Sequence, residues 1–152
     1  MFSESEVFER NYVRRNMRVE IAKEAGFCYG VQRAVRIAEK ALAENGTVYV
    51  LGHLIHNERV MSRLAGQGLR TVQSVEEAPW GALLIIRSHG VAEGVYRLCK
   101  QRSITILDAT CPSVKRIHAL VSEYGGTVII LGEKEHPEVQ GIAGWAKGPV
   151  HI

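Results

Sequence analysis

Five side chains in this sequence have the chemistry of a reaction centre: the thiols of Cys28 and Cys111 and the imidazoles of His56, His89 and His136. Thiolates ligate soft metals or carry redox chemistry, and imidazoles bind anions, ligate metals or shuttle protons. Glu138 stands two residues after His136, where a carboxylate could relay a proton into the same place. Such a set could hold zinc for hydrolysis, an iron–sulfur cluster for electron transfer, or no metal at all. None of the spacings matches a compact CxxC knuckle, so the tertiary fold has to gather them. The remaining candidates have simpler readings. Cys99 follows Leu98 inside an expected helix and reads as packing, as free cysteines often do. His118 beside Ile117 and His151 near the end of the sequence read the same way. His53 shares a loop with His56, as a supporting or merely exposed group. Arg33, Arg36, Lys115 and Arg116 are expected to face solvent on their helices.

The elements that must position these groups follow a repeating grammar. Val19 and Ile21 alternate with charged residues over Arg18–Lys23, a strand pattern that Gly26 ends. After Cys28, Val31, Ala34, Val35, Ala38 and Leu42 form one apolar helical stripe, closed by Asn45-Gly46. A strand is expected over Thr47–Leu51. The loop with His53 and His56 leads into a helix bearing Val60, Met61 and Leu64, then a short strand over Leu69–Val72. Ala82–Arg87 reads as a central strand buried on both faces, with Ser88-His89-Gly90 at its exit. A helix through Val91, Val95 and Leu98, a strand over Ile104–Leu107 and Thr110-Cys111-Pro112 come next; Pro112 suits a helix's first turn. The helix through Val114 and Tyr124, a buried strand over Thr127–Leu131, His136-Pro137-Glu138, a helix with Val139 and Ile142, and a strand beginning at Val150 complete the pattern.

Strands alternating with helices predict an α/β fold of repeated three-layer units with mainly parallel sheets and right-handed crossovers. One complete unit is expected over residues 17–110 and the start of a second, truncated unit over 111–152, after an extension at 1–16; Met17 is a plausible alternative start. Cys28, His56, His89, Cys111 and His136 all fall near strand exits and helix starts. In open parallel sheets that is where ligands gather. Helix N-termini pointing into one crevice favour a phosphate or diphosphate.

Composition narrows the class. At 152 residues, 46% hydrophobic and 23% charged, the chain is a globular protein rather than a disordered, collagenous or coiled-coil one. Its net charge of +3 is too mild for a nucleic-acid groove but compatible with a small anionic ligand. Three cysteines at irregular spacing argue against a disulfide framework and for the reducing cytoplasm. No apolar run approaches the ~18 residues that a membrane helix needs.

The segments Ala25-Gly-Phe-Cys-Tyr-Gly-Val-Gln-Arg-Ala34, Leu54-Ile-His-Asn57, Arg87-Ser-His-Gly-Val91, Asp108-Ala-Thr-Cys-Pro112 and Gly132-Glu-Lys-Glu-His-Pro-Glu-Val-Gln-Gly141 together resemble 4-hydroxy-3-methylbut-2-enyl diphosphate reductases, over about Val19 to Trp145. The resemblance implies an oxidoreductase of the methylerythritol phosphate route to isoprenoids. In that family a [4Fe-4S] cluster held by three cysteines supports reductive dehydroxylation of an allylic diphosphate to isopentenyl and dimethylallyl diphosphates. It implies that Cys28 and Cys111 are cluster ligands, that His56, His89 and His136 bind the substrate diphosphate, and that Glu138 serves the proton relay. Cys99 matches no family ligand, so the third cysteine is absent from this chain. The implied partners are the small-molecule substrate and an electron donor such as ferredoxin or flavodoxin, with neither nucleic acid nor membrane. Family members are about twice as long, so the chain is expected to be a fragment that holds no stable cluster and is inactive alone. A non-catalytic diphosphate-binding remnant and a zinc-dependent hydrolase using Cys28, Cys111 and a histidine are the alternatives.

Overall fold

A computed structural model of the chain describes residues 20, 22, 23 and 25–152. The extension expected at 1–16 lies outside the described residues, as do Arg18, Val19 and Ile21 of the strand expected over Arg18–Lys23. The first described helix, α1 (Tyr29–Asn45), buries Ala34, Ala38, Ala41 and Leu42 along one stripe. Three alanines on that stripe let the helix axis lie close to the sheet. Gly46 stops it: its φ of +71° is left-handed, and its N–H donates to the Leu42 carbonyl at 2.9 Å.

Strands β1 (Val48–Leu51), β2 (Leu69–Val72), β3 (Leu83–Ile86) and β4 (Thr105–Asp108) form one parallel sheet in the order β2-β1-β3-β4. Period-two alternation sends their side chains into two cores. Val48, Val50 and Ile85 pack with α1, Leu54, Ile55 and, on helix α2 (Glu58–Gly66), Leu64. Leu51, Leu84 and Ile86 pack with Val75, Val91 and Cys99 on the opposite face. Helix α3 (Glu93–Gln101) covers that second face together with the 3₁₀ turn Val75–Glu77. Coverage on both sides is why β3 is apolar at every position rather than alternating. Each fully buried Leu or Ile here contributes roughly 1.5–3 kcal/mol.

Beyond β4 come helix α4 (Pro112–Glu123), strand β5 (Val128–Ile129), helix α5 (Pro137–Ala143) and strand β6 (Val150–His151), the two strands pairing in parallel. Three expectations need correction. The strand expected over Thr127–Leu131 has only two residues in ladder and is not buried: Ile129 is 73% and Leu131 96% exposed. Its β-branched run suits a strand covered on both sides, and the described residues supply no such cover. Val91 precedes rather than joins α3, because its carbonyl accepts the Trp145 indole N–H at 2.9 Å and the chain is still extended at Ala92. Strand β4 begins at Thr105, one residue later than expected. No helix among the described residues is long and apolar enough to cross a membrane.

Candidate functional site

The strand order places a topological switch point between β1 and β3, since the chain leaves β1 towards one edge of the sheet and β3 towards the other. A ligand crevice is expected beyond the carboxyl ends of that pair. Gly52 follows β1 and Arg87 follows β3, and together with His53, His56, Gln73, His89 and Pro137 they line a cavity of about 310 Å³ there. Three imidazoles converge at it. Ring centroids lie 4.5 Å apart for His56 and His89, 6.0 Å for His56 and His136, and 5.8 Å for His89 and His136.

Local structure explains each placement. Leu54 and Ile55 are buried in the α1 core, which pins the loop after β1 and leaves the next residue, His56, exposed over the crevice. Asn57 then caps α2 by accepting the Val60 N–H. Ser88 ties three segments together. Its N–H and its hydroxyl both donate to the Leu54 carbonyl, at 3.2 and 3.0 Å, and its own carbonyl accepts the Cys111 N–H at 2.9 Å. His136 is the N-cap of α5: its Nδ1 accepts the Glu138 N–H at 3.2 Å, which leaves the ring proton of the neutral form on Nε2. Glu138 lies in the first turn of the same helix.

The turn after His89 is clamped from below. Gly90 has φ +72°, and a Cβ there would stand 2.5 Å from His118 Cε1 and 3.0 Å from Thr110 Cγ2. His118 is buried and stacks on Trp145 with ring centroids 5.3 Å apart, while a Cβ on Gly141 would just touch the backbone of His89 to Val91. The reading of His118 as a packing residue holds. His151 is exposed on β6.

Electrostatics follows from burial. Desolvation, reinforced by the neighbouring His56, Arg87 and His136, pushes the His89 imidazole down to about pKa 4, so it is neutral at physiological pH. Its Nδ1 is buried without a hydrogen-bond partner, a cost that a ligand atom would relieve. Burial also lowers the His118 imidazole and the Arg87 guanidinium from their usual values.

The two cysteines stand at helix N-cap positions. Cys28 is the N-cap of α1 and is exposed; Cys111 is the N-cap of α4 and is half-buried. Neither thiol makes a capping hydrogen bond. Gly30 brings the first turn of α1 onto the second thiol, for a Cβ there would stand 2.7 Å from Cys111 Sγ. The exit of β4 is fixed by Asp108, which accepts from Tyr96, from the Thr110 N–H and from Lys115, the last at 2.7 Å. Burial alone would raise this carboxyl, but hydrogen bonds from Lys115 and Thr110 outweigh it and hold it below the usual range. Burial, seconded by Asp108, pushes Tyr96 up to about 12. Arg33 donates to the Asp108 and Thr110 carbonyls, so neither it nor Lys115 simply faces solvent as expected. Cys99 is wholly buried in the core on the α3 face and contributes nothing to this site.

Two soft donors at helix N-cap positions, Cys111 beside the Gly30 backbone, suit an iron–sulfur or other thiophilic centre as two of its ligands. Among the described residues no group of three or more His, Cys, Asp or Glu side chains is placed to hold a metal ion. Sequence reasoning missed Arg87 and Ser88. The signal for Arg87 was a single charge at the carboxyl end of an otherwise apolar strand. Nothing in the sequence marked Ser88 as the hydrogen-bonding link between three segments.

Known proteins share much of this sequence and its fold. A 4-hydroxy-3-methylbut-2-enyl diphosphate reductase of Clostridioides difficile is 44% identical over 140 residues, 90% of this chain and 50% of that protein. One of Geobacter sulfurreducens is 42% identical over 139 residues, with 90% and 49% covered. The chain spans about half the length of the curated relatives it matches. The solved E-1-hydroxy-2-methyl-but-2-enyl-4-diphosphate reductase of Plasmodium falciparum superposes with a TM-score of 0.77 at 29% identity, covering 85% of this chain and 42% of that one. A second solved structure, an (E)-4-hydroxy-3-methyl-but-2-enyl diphosphate reductase described as the terminal enzyme of the non-mevalonate pathway, gives 0.71 at 40% identity, with 87% and 50% covered. The family model described as LytB protein matches residues 19–152, and the chain belongs to that family.

Proposed function

We propose that this chain supplies the diphosphate pocket and two cluster ligands of a reductase that converts 4-hydroxy-3-methylbut-2-enyl diphosphate to isopentenyl and dimethylallyl diphosphates in isoprenoid biosynthesis. What carries the reading is the convergence of three imidazoles at the switch-point crevice, next to Ser88, whose carbonyl accepts the N–H of Cys111. His56, His89 and His136 bind the diphosphate, with the Nε2–H of His136 set as a donor by its capping role. Glu138, one turn-step from that imidazole, holds the proton that leaves with the hydroxyl as water. Cys28 and Cys111 would be two of the three cysteines that hold a [4Fe-4S] cluster, which when bound would relay the donor's electrons one at a time and offer a Lewis-acidic iron. Overall two electrons and two protons enter, and the allylic C–O bond breaks to release water. A ferredoxin- or flavodoxin-type donor provides the electrons, and free thiols on helix N-caps fit the reducing cytoplasm.

The test is anaerobic reconstitution with ferrous iron and sulfide, of the chain alone and of the chain mixed with the half of the Clostridioides difficile relative that it does not match. Iron and acid-labile sulfide retained in the mixture, and lost in Cys28→Ser and Cys111→Ser, are the expected results. Zinc in preference to iron, or retention indifferent to both substitutions, contradicts the reading.

A further inference from the structure

The three imidazoles leave a charge problem. A diphosphate brings two to three negative charges, yet His89 is neutral at physiological pH, and a neutral imidazole gives one donor and no net charge. Arg87 is the permanent cation at the crevice. Its guanidinium is half-buried, and among the described residues no carboxylate lies within ion-pair distance of it. Its only hydrogen bond there is a long one, from Nε to the Gly90 carbonyl at 3.4 Å, so the planar fork of terminal N–H groups is uncommitted. Burying an unpaired charge is costly, and proteins keep such groups where a ligand completes the pair.

The backbone makes room for this group. Gly52 has φ +67°, and a Cβ there would collide with an Arg87 terminal nitrogen. The guanidinium therefore lies against the bare Gly52 backbone, at the carboxyl ends of the two strands that flank the switch point. A left-handed glycine on one strand exit and an arginine on the next together form the floor of the cavity whose wall is His56 and His89.

We infer that Arg87 is an anion-anchoring residue of this pocket, its guanidinium pairing with diphosphate oxygens from the Gly52 side while the imidazoles hold the opposite side. The inference rests on the reading of the crevice as a diphosphate pocket and adds to it the residue that supplies the charge. A bidentate pair with a phosphate group uses the fork that the Gly90 contact leaves free.

The test is calorimetry of the full chain with inorganic diphosphate at several salt concentrations, for the wild type, Arg87→Met and Arg87→Lys. Arg87→Met is expected to weaken binding about tenfold or more and to flatten its salt dependence, while Arg87→Lys recovers part of both. Unchanged affinity in Arg87→Met overturns the role of Arg87 and leaves the pocket reading standing. Equal losses in both variants with wild-type salt dependence also overturn it, because they assign Arg87 only to bracing the Gly90 turn. A wild-type chain that binds no diphosphate overturns both readings. If the variants do not fold, the wild-type Arg87 Nε–H resonance decides: movement on adding diphosphate supports the pairing, and a fixed resonance overturns it.

Discussion

At the scale of single residues, the site depends on groups held away from their ordinary states. His89 is the clearest. In the unfolded chain its imidazole titrates near the ordinary value of 6.5, whereas in the fold, burial and the facing His56, Arg87 and His136 bring it to about 4. As pH falls below 6.5 the unfolded state takes up a proton that the folded state refuses until near 4. The stability tied to neutral His89 is thus whole above pH 6.5 and lost as pH falls towards 4. Urea denaturation at pH 7 and pH 5 should show this loss, and His89→Gln should reduce it; an identical loss in the variant contradicts the assignment. Gly90 is a second case. Its φ of +72° disfavours any side chain, and a methyl would press on His118 and Thr110. Gly90→Ala is expected to cost about 2–4 kcal/mol, read from denaturant midpoints. The residue types of the site were legible in the sequence, because Cys and His at strand exits stand out chemically. The supports were not: Ser88 and Trp145 act through hydrogen bonds to backbone carbonyls that only the tertiary fold brings near.

At the scale of elements, the positions of β1–β4 and α1–α4 were readable because apolar periodicity and glycine or proline punctuation agreed with the tertiary packing. The failures were at β5, at the start of α3 and, by one residue, at the start of β4. A β-branched run predicts burial only if something covers it, and the local pattern at Val91 cannot register an indole donor 54 residues away along the chain. Loops rather than helices couple the site. Ser88 joins the exits of β1, β3 and β4, and its hydroxyl contributes to the β1–β3 link through the Leu54 carbonyl, while the bond to the Cys111 N–H is backbone and survives the substitution. Ser88→Ala is expected to lower stability by about 1 kcal/mol. It should also weaken nuclear Overhauser contacts between His56 and His89, whereas a distant surface substitution such as Lys40→Ala should leave them intact.

At the scale of the whole molecule, a four-stranded parallel sheet carries His56 and His89, while the segment after β4 contributes His136, Glu138 and the clamp of His118 and Trp145. The crevice thus lies where two parts of the chain meet. Exposed Leu120, Tyr124, Ile129 and Leu131 lie on that second part, in a chain that spans about half of its curated relatives. The central claim, that this meeting point binds diphosphate through three of the six histidines, has a direct test. Inorganic diphosphate is titrated into the chain while the Cε1–H resonances of all six imidazoles are followed by NMR. The account predicts that His56, His89 and His136 shift together and saturate at one affinity, while His118 and His151 stay in place. A response spread evenly over all six, or absent from His89, would contradict it.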